Sequence, residues 1–309
     1  MGEAMMKNIF IRFKAVWFAF SLILIVSGII SMTVNYRTKG ATFNYGIDFT
    51  GGTSMMLSVD EAERAFIHSE KVPDALREKI NVLIEGSAKT MGINHIQITM
   101  ADRHYFLVRT SEMTARQLDQ FTETLKEKLS GLKIVETDFI GASIVNELQK
   151  QAVTIIFVAI FLLLIYITLR FEFWAALAAI FALVHDTLIT LGLTAMLGIQ
   201  VDAAFVAAIL TILGYSINDT IVIFDRIREN TQNMTDAFDA IAELSIWQTL
   251  TRSIYTVSTV LIVLVSIYFF GGTSLKDFSL VLIIGIFFGC YSSIFIASPL
   301  LVMFKKWSE

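Results

Sequence analysis

The chain sets long uncharged runs between short polar breaks, and one long segment departs from that pattern. Uncharged runs occupy 15–36, 151–169, 173–184, 187–201, 203–218, 253–275 and 278–304. A hydrocarbon core of roughly 30 Å takes about 20 helical residues to cross. Four of the runs reach that length alone. The other three make two spans if His185-Asp186 lies inside one and Asp219 inside another. The pattern therefore predicts a polytopic α-helical membrane protein with six transmembrane helices: one at 15–36 and a five-helix bundle over 151–304. The first run could instead be a cleaved signal peptide, with Lys7, Arg12 and Lys14 as its basic region. Its apolar stretch is too long and no small-residue cleavage site stands out, so an uncleaved span is expected.

Segment 37–150 has the mixed polarity of a small folded domain. "FNYGIDFTGGTSMMLSV" (43–59) reads as extended chain broken at Gly51-Gly52. "PDALREKINVLIEGSAKTMG" (73–92) reads as a helix opened by Pro73. "INHIQITM" and "HYFLVRT" alternate as strands around an Ala101-Asp102-Arg103 turn. "TARQLDQFTETLKEKLSG" is a second helix, capped by Thr114 and ended by Gly131, and "LKIVETDF" is a last strand. This order predicts a small α+β, ferredoxin-like external domain between helices 1 and 2. A helix from Asn146 is expected to run into span two. The amphipathic segment 235–250, with Phe238, Ile241 and Ser245 on one side, is expected along the cytoplasmic interface.

Composition narrows the function classes. The chain is 55% hydrophobic with a mean hydropathy of +0.66, above what a soluble core requires. A single cysteine, Cys290, excludes a disulfide within the chain. Net charge is −4 with no basic tail, which argues against nucleic acid. No nucleophile elbow, phosphate-binding loop or zinc signature is present, so neither an enzyme nor a cofactor or metal site is expected, and any energy would have to come from outside ATP. His68, His95 and His104 form no cluster. Arginines and lysines gather at one set of connections (Arg12 and Lys14, Arg170, Arg226 and Arg228, Lys305 and Lys306), and the opposite turns hold a single Lys276. Both the N-terminal 1–14 and the C-terminal 305–309 are therefore expected in the cytoplasm, with 37–150 outside.

Three intramembrane places carry groups that are costly in lipid, at least about 2.5–3.5 kcal/mol for an ionisable residue. His185 and Asp186 sit about 18 Å into span three, and Asp219 about 9 Å inside a boundary at Asp225, from the 1.5 Å rise per residue. Arg252 begins span five at a similar depth to Asp219. Thr211, Tyr215, Asn218 and Asp219 share one helical stripe, and Gly214 and Ser216 permit a close neighbour. A carboxylate facing an arginine on the next helix can load and release a proton, because burial and the arginine pull in opposite directions. The same pair would equally serve as a static ion pair fixing helix register. For His185 and Asp186 a scaffold role or support of a proton relay is the stronger expectation. Gly285 and Gly289 form a GxxxG of close helix packing.

"YGIDFTGGT" (45–53), "LGYSINDTIVIFDRIREN" (213–230), "WQTLTRSIYT" (247–256) and "GCYSSIFIASPLLV" (289–302) together resemble the SecF branch of the SecD/SecF protein-export family, within the resistance-nodulation-division superfamily. The resemblance spans the chain. It departs at "IGASIVNEL" (140–148), where the family commonly has a proline and a glycine; here Val145 stands for the glycine. The resemblance implies a partner, SecD, and a role beside the SecYEG channel in the bacterial cytoplasmic (inner) membrane, where the proton gradient would help unfolded secretory polypeptides emerge. It implies proton coupling at Asp219 and Arg252, with Asn218 adjoining. At 309 residues the chain is expected to be a stand-alone subunit rather than a fused one. Gly51 and Gly52 are candidates for a hinge of the external domain, or for the shape of a strand end. Two other functions fit the residues: half of a proton-driven exporter of lipids or small hydrophobic compounds, and an inert membrane scaffold.

Overall fold

The computed structural model describes residues 9–308 apart from 70, 94, 95, 102 and 103; Lys7, His95 and the expected turn at Asp102-Arg103 lie outside the described residues. The chain divides into two compact units, Met1–Asn44 with Val153–Glu309, and Tyr45–Ala152. In chain order, α1 (Lys14–Lys39) is the first apolar helix and stops where Gly40 turns left-handed (φ 75°), its N–H donating to the Tyr36 carbonyl. A two-residue strand β1 (Asn44–Tyr45) and one helical turn, α2 (Ile47–Thr50), precede β2 (Gly52–Val59). The turn α2 stands where extended chain was expected. Next come α3 (Asp60–Ser69), α4 (Asp74–Thr90), β3 (Ile96–Ala101), β4 (Tyr105–Thr110), α5 (Ala115–Lys128) and β5 (Leu132–Ile140).

The four longer strands form one antiparallel sheet in the order β3-β4-β2-β5. Helices α4 and α5 cover it: Ile80, Ile84, Phe121 and Leu125 close over Met55, Leu57, Phe106 and Val108, all buried. The Thr114 cap is a full capping box with Gln117. Helix α3 was not anticipated. Asp60, Glu61 and Glu63 crowd its first turn, and Ala62 is its only fully buried side chain, so its apolar stripe is too thin to read as a helix.

Beyond the sheet domain run α6 (Ala142–Arg170), α7 (Phe173–Leu197), a short β6 (Gln200–Val201), α8 (Ala203–Asn233) and α9 (Phe238–Phe270). Span six is α10 (Thr273–Ser292), a π-helical turn at Ser293–Ala297 and α11 (Ser298–Ser308). Among the described residues six helices are long and apolar enough to cross a membrane. The protein is a multi-pass membrane protein. Spans three, four and six are 56%, 50% and 56% buried over their most apolar windows; spans one, two and five are 11%, 6% and 11%. The first three are therefore the inner pillars, and span one leans on span three. Gly28 and Gly192 make that crossing, where a Cβ added at Gly28 would lie 2.6 Å from the Gly192 Cα. Span six meets span four through the expected pair: a Cβ on Gly285 would strike the Ile212 side chain, and one on Gly289 would come within 3.1 Å of the Ser216 Cβ.

Two expectations are corrected. The segment 235–250 is no separate interfacial helix: from Phe238 it continues unbroken into span five, and Ile241, Ala242, Glu243, Ser245, Ile246 and Thr249 are buried in the bundle. Gly214 faces open space, so Ser216 alone of that pair admits the neighbouring helix.

Candidate functional site

Span four turns Ile212, Ser216, Asp219, Thr220 and Ile223 inward, one set of positions three and four apart. Asp219 is 8% exposed. Its Oδ1 accepts from Ser253 Oγ at 2.5 Å, and its Oδ2 has no oxygen or nitrogen donor among the described residues, with the Cys290 thiol beside the carboxylate. Arg252, the residue before Ser253, is exposed, and its charge bears on Asp219 without a salt bridge between them among the described residues. Thr211, Tyr215 and Asn218 are also exposed. The expected four-residue stripe is thus divided: the helix presents three of its members outward and only Asp219 toward its neighbours. Residues at i+7 and i+8 differ by 100° around a helix, enough to separate Asn218 from Asp219.

The second polar centre lies on span three. Asp186 is wholly buried. Its Oδ2 accepts from Ser216 Oγ at 2.5 Å and Ser292 Oγ at 2.7 Å, and its Oδ1 lies 2.9 Å from His185 Nδ1. Nε2 of His185 is buried with no partner among the described residues, and the ring stacks on Tyr291 at 6.2 Å between centroids. Tyr291 in turn donates to the Trp17 carbonyl on span one at 3.0 Å. The two centres touch the same helices: Ser216 and Asp219 are one turn apart on span four, and Cys290 and Ser292 two residues apart on span six. Thr220 and Ser293 hydroxyls meet at 2.8 Å between them. Ser293 opens the π-helical turn, a local widening found often where helices carry function. Sequence reasoning found both carboxylates and missed the serines that hold them. Serines in an apolar run have no distinguishing mark until the helices are docked.

Gly51 and Gly52 form the corner from α2 into β2, with φ of 71° and 108°. A Cβ on Gly52 would lie 2.1 Å from the Thr110 carbonyl oxygen, so the second glycine is required by backbone approach as well as by its dihedral. That geometry accounts for the pair as the shape of a strand end. Arg170 and Arg228 both pair with Asp225, and Lys306 with Asp239, so basic residues from spans two, four and six collect at one end of the bundle.

This constellation can be compared with known proteins. The model for "Protein export membrane protein SecD/SecF, C-terminal" matches residues 120–307, and the model for the "SecD/SecF GG Motif" matches residues 40–63, which include the corner just described. The chain belongs to the SecD/SecF family. It is 36% identical to the protein translocase subunit SecF of Sebaldella termitidis, covering 96% of this chain and 91% of that one. It is 37% identical to its counterpart in Rhodothermus marinus, with 95% and 92% covered. Among solved structures it is similar to SecDF of Thermus thermophilus, described as a translocon-associated membrane protein, at 31% identity and a TM-score of 0.80 over 95% of this chain. It spans only 38% of that SecDF chain. A SecDF structure in a super-membrane-facing form gives a TM-score of 0.64 at the same identity.

Proposed function

We propose that this chain is an accessory subunit of the Sec translocase that works with SecD beside the SecYEG channel and draws on the proton gradient. It is read as a transport component of the bacterial cytoplasmic membrane, with both termini cytoplasmic, and not as a classical enzyme. The observation that carries the coupling is the buried Asp219 carboxylate, held by one serine hydroxyl and left with an unbonded oxygen. A permanently charged structural carboxylate at that depth would be expected to have both oxygens engaged, since each unsatisfied buried polar atom costs about 1–3 kcal/mol. An oxygen left free is where a proton can arrive and leave. Arg252 supplies a nearby positive charge without a salt bridge to the carboxylate among the described residues. Gly51-Gly52 is read as shaping the strand end first, and as an attachment hinge only if the domain moves.

The test is preprotein export by inverted membrane vesicles carrying SecD and this chain, with and without an imposed proton gradient. Asp219→Asn and Arg252→Met should each lose the gradient-dependent part while membrane level and SecD association stay near wild type. Gradient-stimulated export at wild-type level in both variants would end the coupling proposal. Loss of both proteins from the membrane would favour the scaffold reading instead.

A further inference from the structure

Asp186 and Asp219 differ in one respect that decides what each can do. Among the described residues the Asp219 Oδ2 has only the Cys290 thiol beside it, whereas both oxygens of Asp186 are engaged: two serine hydroxyls on Oδ2 and the imidazole on Oδ1. The Ser216 hydroxyl donates to Oδ2, the Ser292 hydroxyl shares its proton between Oδ2 and the Gly289 carbonyl, and when the carboxylate is ionised the His185 ring donates from Nδ1. Among the described residues no lysine or arginine forms an ion pair with Asp186. With a neutral ring the pair leaves a net negative charge wholly buried. With one further proton, on His185 Nε2, the pair becomes neutral overall at the expense of an N–H without an acceptor. Neither state satisfies everything, and with the carboxylate ionised they differ by one proton at His185 Nε2.

From this geometry we infer that His185-Asp186 is a second proton-binding site of the membrane bundle, with His185 Nε2 as the atom that takes the proton. The inference deepens the proton-coupling reading above and gives it a partner site. The surroundings make the site consequential. Asp186 is the common acceptor for a serine of span four and a serine of span six, so its charge sets how tightly those two helices are held to span three. Ser216 stands one turn before Asp219, and Ser292 immediately precedes the π-helical turn. Loading His185 weakens the pull of the carboxylate on both hydroxyls. Among the described residues the ionisable side chain packed on the pair is Tyr291 of span six, and span one offers the Ser21 hydroxyl and the Trp17 carbonyl, both on Tyr291.

The experiment reads the ring directly. The full chain, labelled with nitrogen-15 histidine and carrying His68, His95 and His104→Gln, is placed in lipid nanodiscs, and the remaining ring nitrogens are followed by NMR from about pH 8 to about pH 5, the range in which histidine changes charge. The wild-type site should go from one ring proton to two. Asp186→Asn should abolish that uptake, and Ser292→Ala, which removes a single donor, should shift the pH at which it occurs. Asp219→Asn should leave His185 titrating, with a displaced midpoint. A ring that keeps one proton throughout, or an Asp186→Asn protein that titrates as the wild type does, overturns the inference; so does a Ser292→Ala curve identical to wild type if Asp186→Asn does not fold. Export is not read in this experiment. A silent His185 beside a defective Asp219→Asn in the vesicle assay would therefore sink this site and leave the coupling proposal standing.

Discussion

Glu243 holds the start of the chain to the bundle, and its removal should free that segment. It is 2% exposed, in the second turn of α9. Oε1 accepts the backbone N–H groups of Ile9 at 2.8 Å and Phe10 at 3.1 Å, and Oε2 that of Ile11 at 3.0 Å. The Phe10 ring meets Trp247 at 5.1 Å and Phe295 at 5.5 Å, so the three residues entering span one are fixed by both polar and aromatic contacts to spans five and six. Glu243→Ala strips the acceptor from three donors, of which those on Phe10 and Ile11 are buried. At about 1–3 kcal/mol per stranded donor, the two buried ones give a loss of about 2–6 kcal/mol in the local holding energy. Since about 1.4 kcal/mol is a tenfold change in an equilibrium, backbone amides at 9–13 should exchange with solvent at least roughly 30-fold faster. Glu243→Gln keeps one acceptor oxygen and turns an NH2 toward the remaining donors, so it should fall between the two. Hydrogen exchange read by mass spectrometry on the full chain in nanodiscs measures this. Unchanged exchange over 9–13 in Glu243→Ala would refute the clamp, and a Gln variant indistinguishable from wild type would remove the charge from the explanation.

Three further outcomes are expected. Gly28→Ala should lower the thermal midpoint of the detergent-solubilised protein, by an overpacking loss of about 1–3 kcal/mol, because its Cβ would meet the Gly192 backbone; Gly214→Ala, which meets open space, should not. Burial, then the like charges of Glu136 and Asp48, push the Asp138 carboxyl above its ordinary range. A raised acid penalises the fold once it is ionised, so the penalty is full above the folded-state pKa and fades as pH falls through it; Asp138→Asn should slow exchange along β5 at pH 7 and make no difference in acid. In Cys290→Ala, a cysteine at the exposed Glu85 should react with an impermeant maleimide added to cells with a permeabilised outer envelope, and one at the exposed Trp307 should not. The reverse pattern would invert the topology.

The spans, both intramembrane carboxylates and the Thr114 cap were legible because each leaves a periodic or compositional trace, whereas α5 stops at Lys128 with Leu129 as its cap, before the expected Gly131. The facing of span four and the serine partners were concealed by one cause. A helix wheel shows which residues share a face, but in hydrocarbon the outside is as apolar as the inside, so nothing in Thr211-Tyr215-Asn218-Asp219 tells which way the stripe turns. The structure answers through packing: Gly285 and Gly289 admit Ile212 and Ser216, and that contact rotates Asp219 inward and Asn218 outward. Ser253 and Ser292 became partners only once helices 34 and 106 residues apart were docked. Glu243 was invisible for a different reason: its partners are backbone N–H groups, which every residue carries. The same rotation of span four sets the contacts of both buried carboxylates. A substitution at Gly285 that pushed Ile212 away would turn Ser216 from Asp186 and Asp219 from Ser253 together, since both lie on one rigid turn. Gly285→Leu should therefore disable gradient-dependent export as fully as Asp219→Asn while touching neither carboxylate. If export in the vesicle assay survives it at the wild-type level, the two centres are held independently of that helix contact.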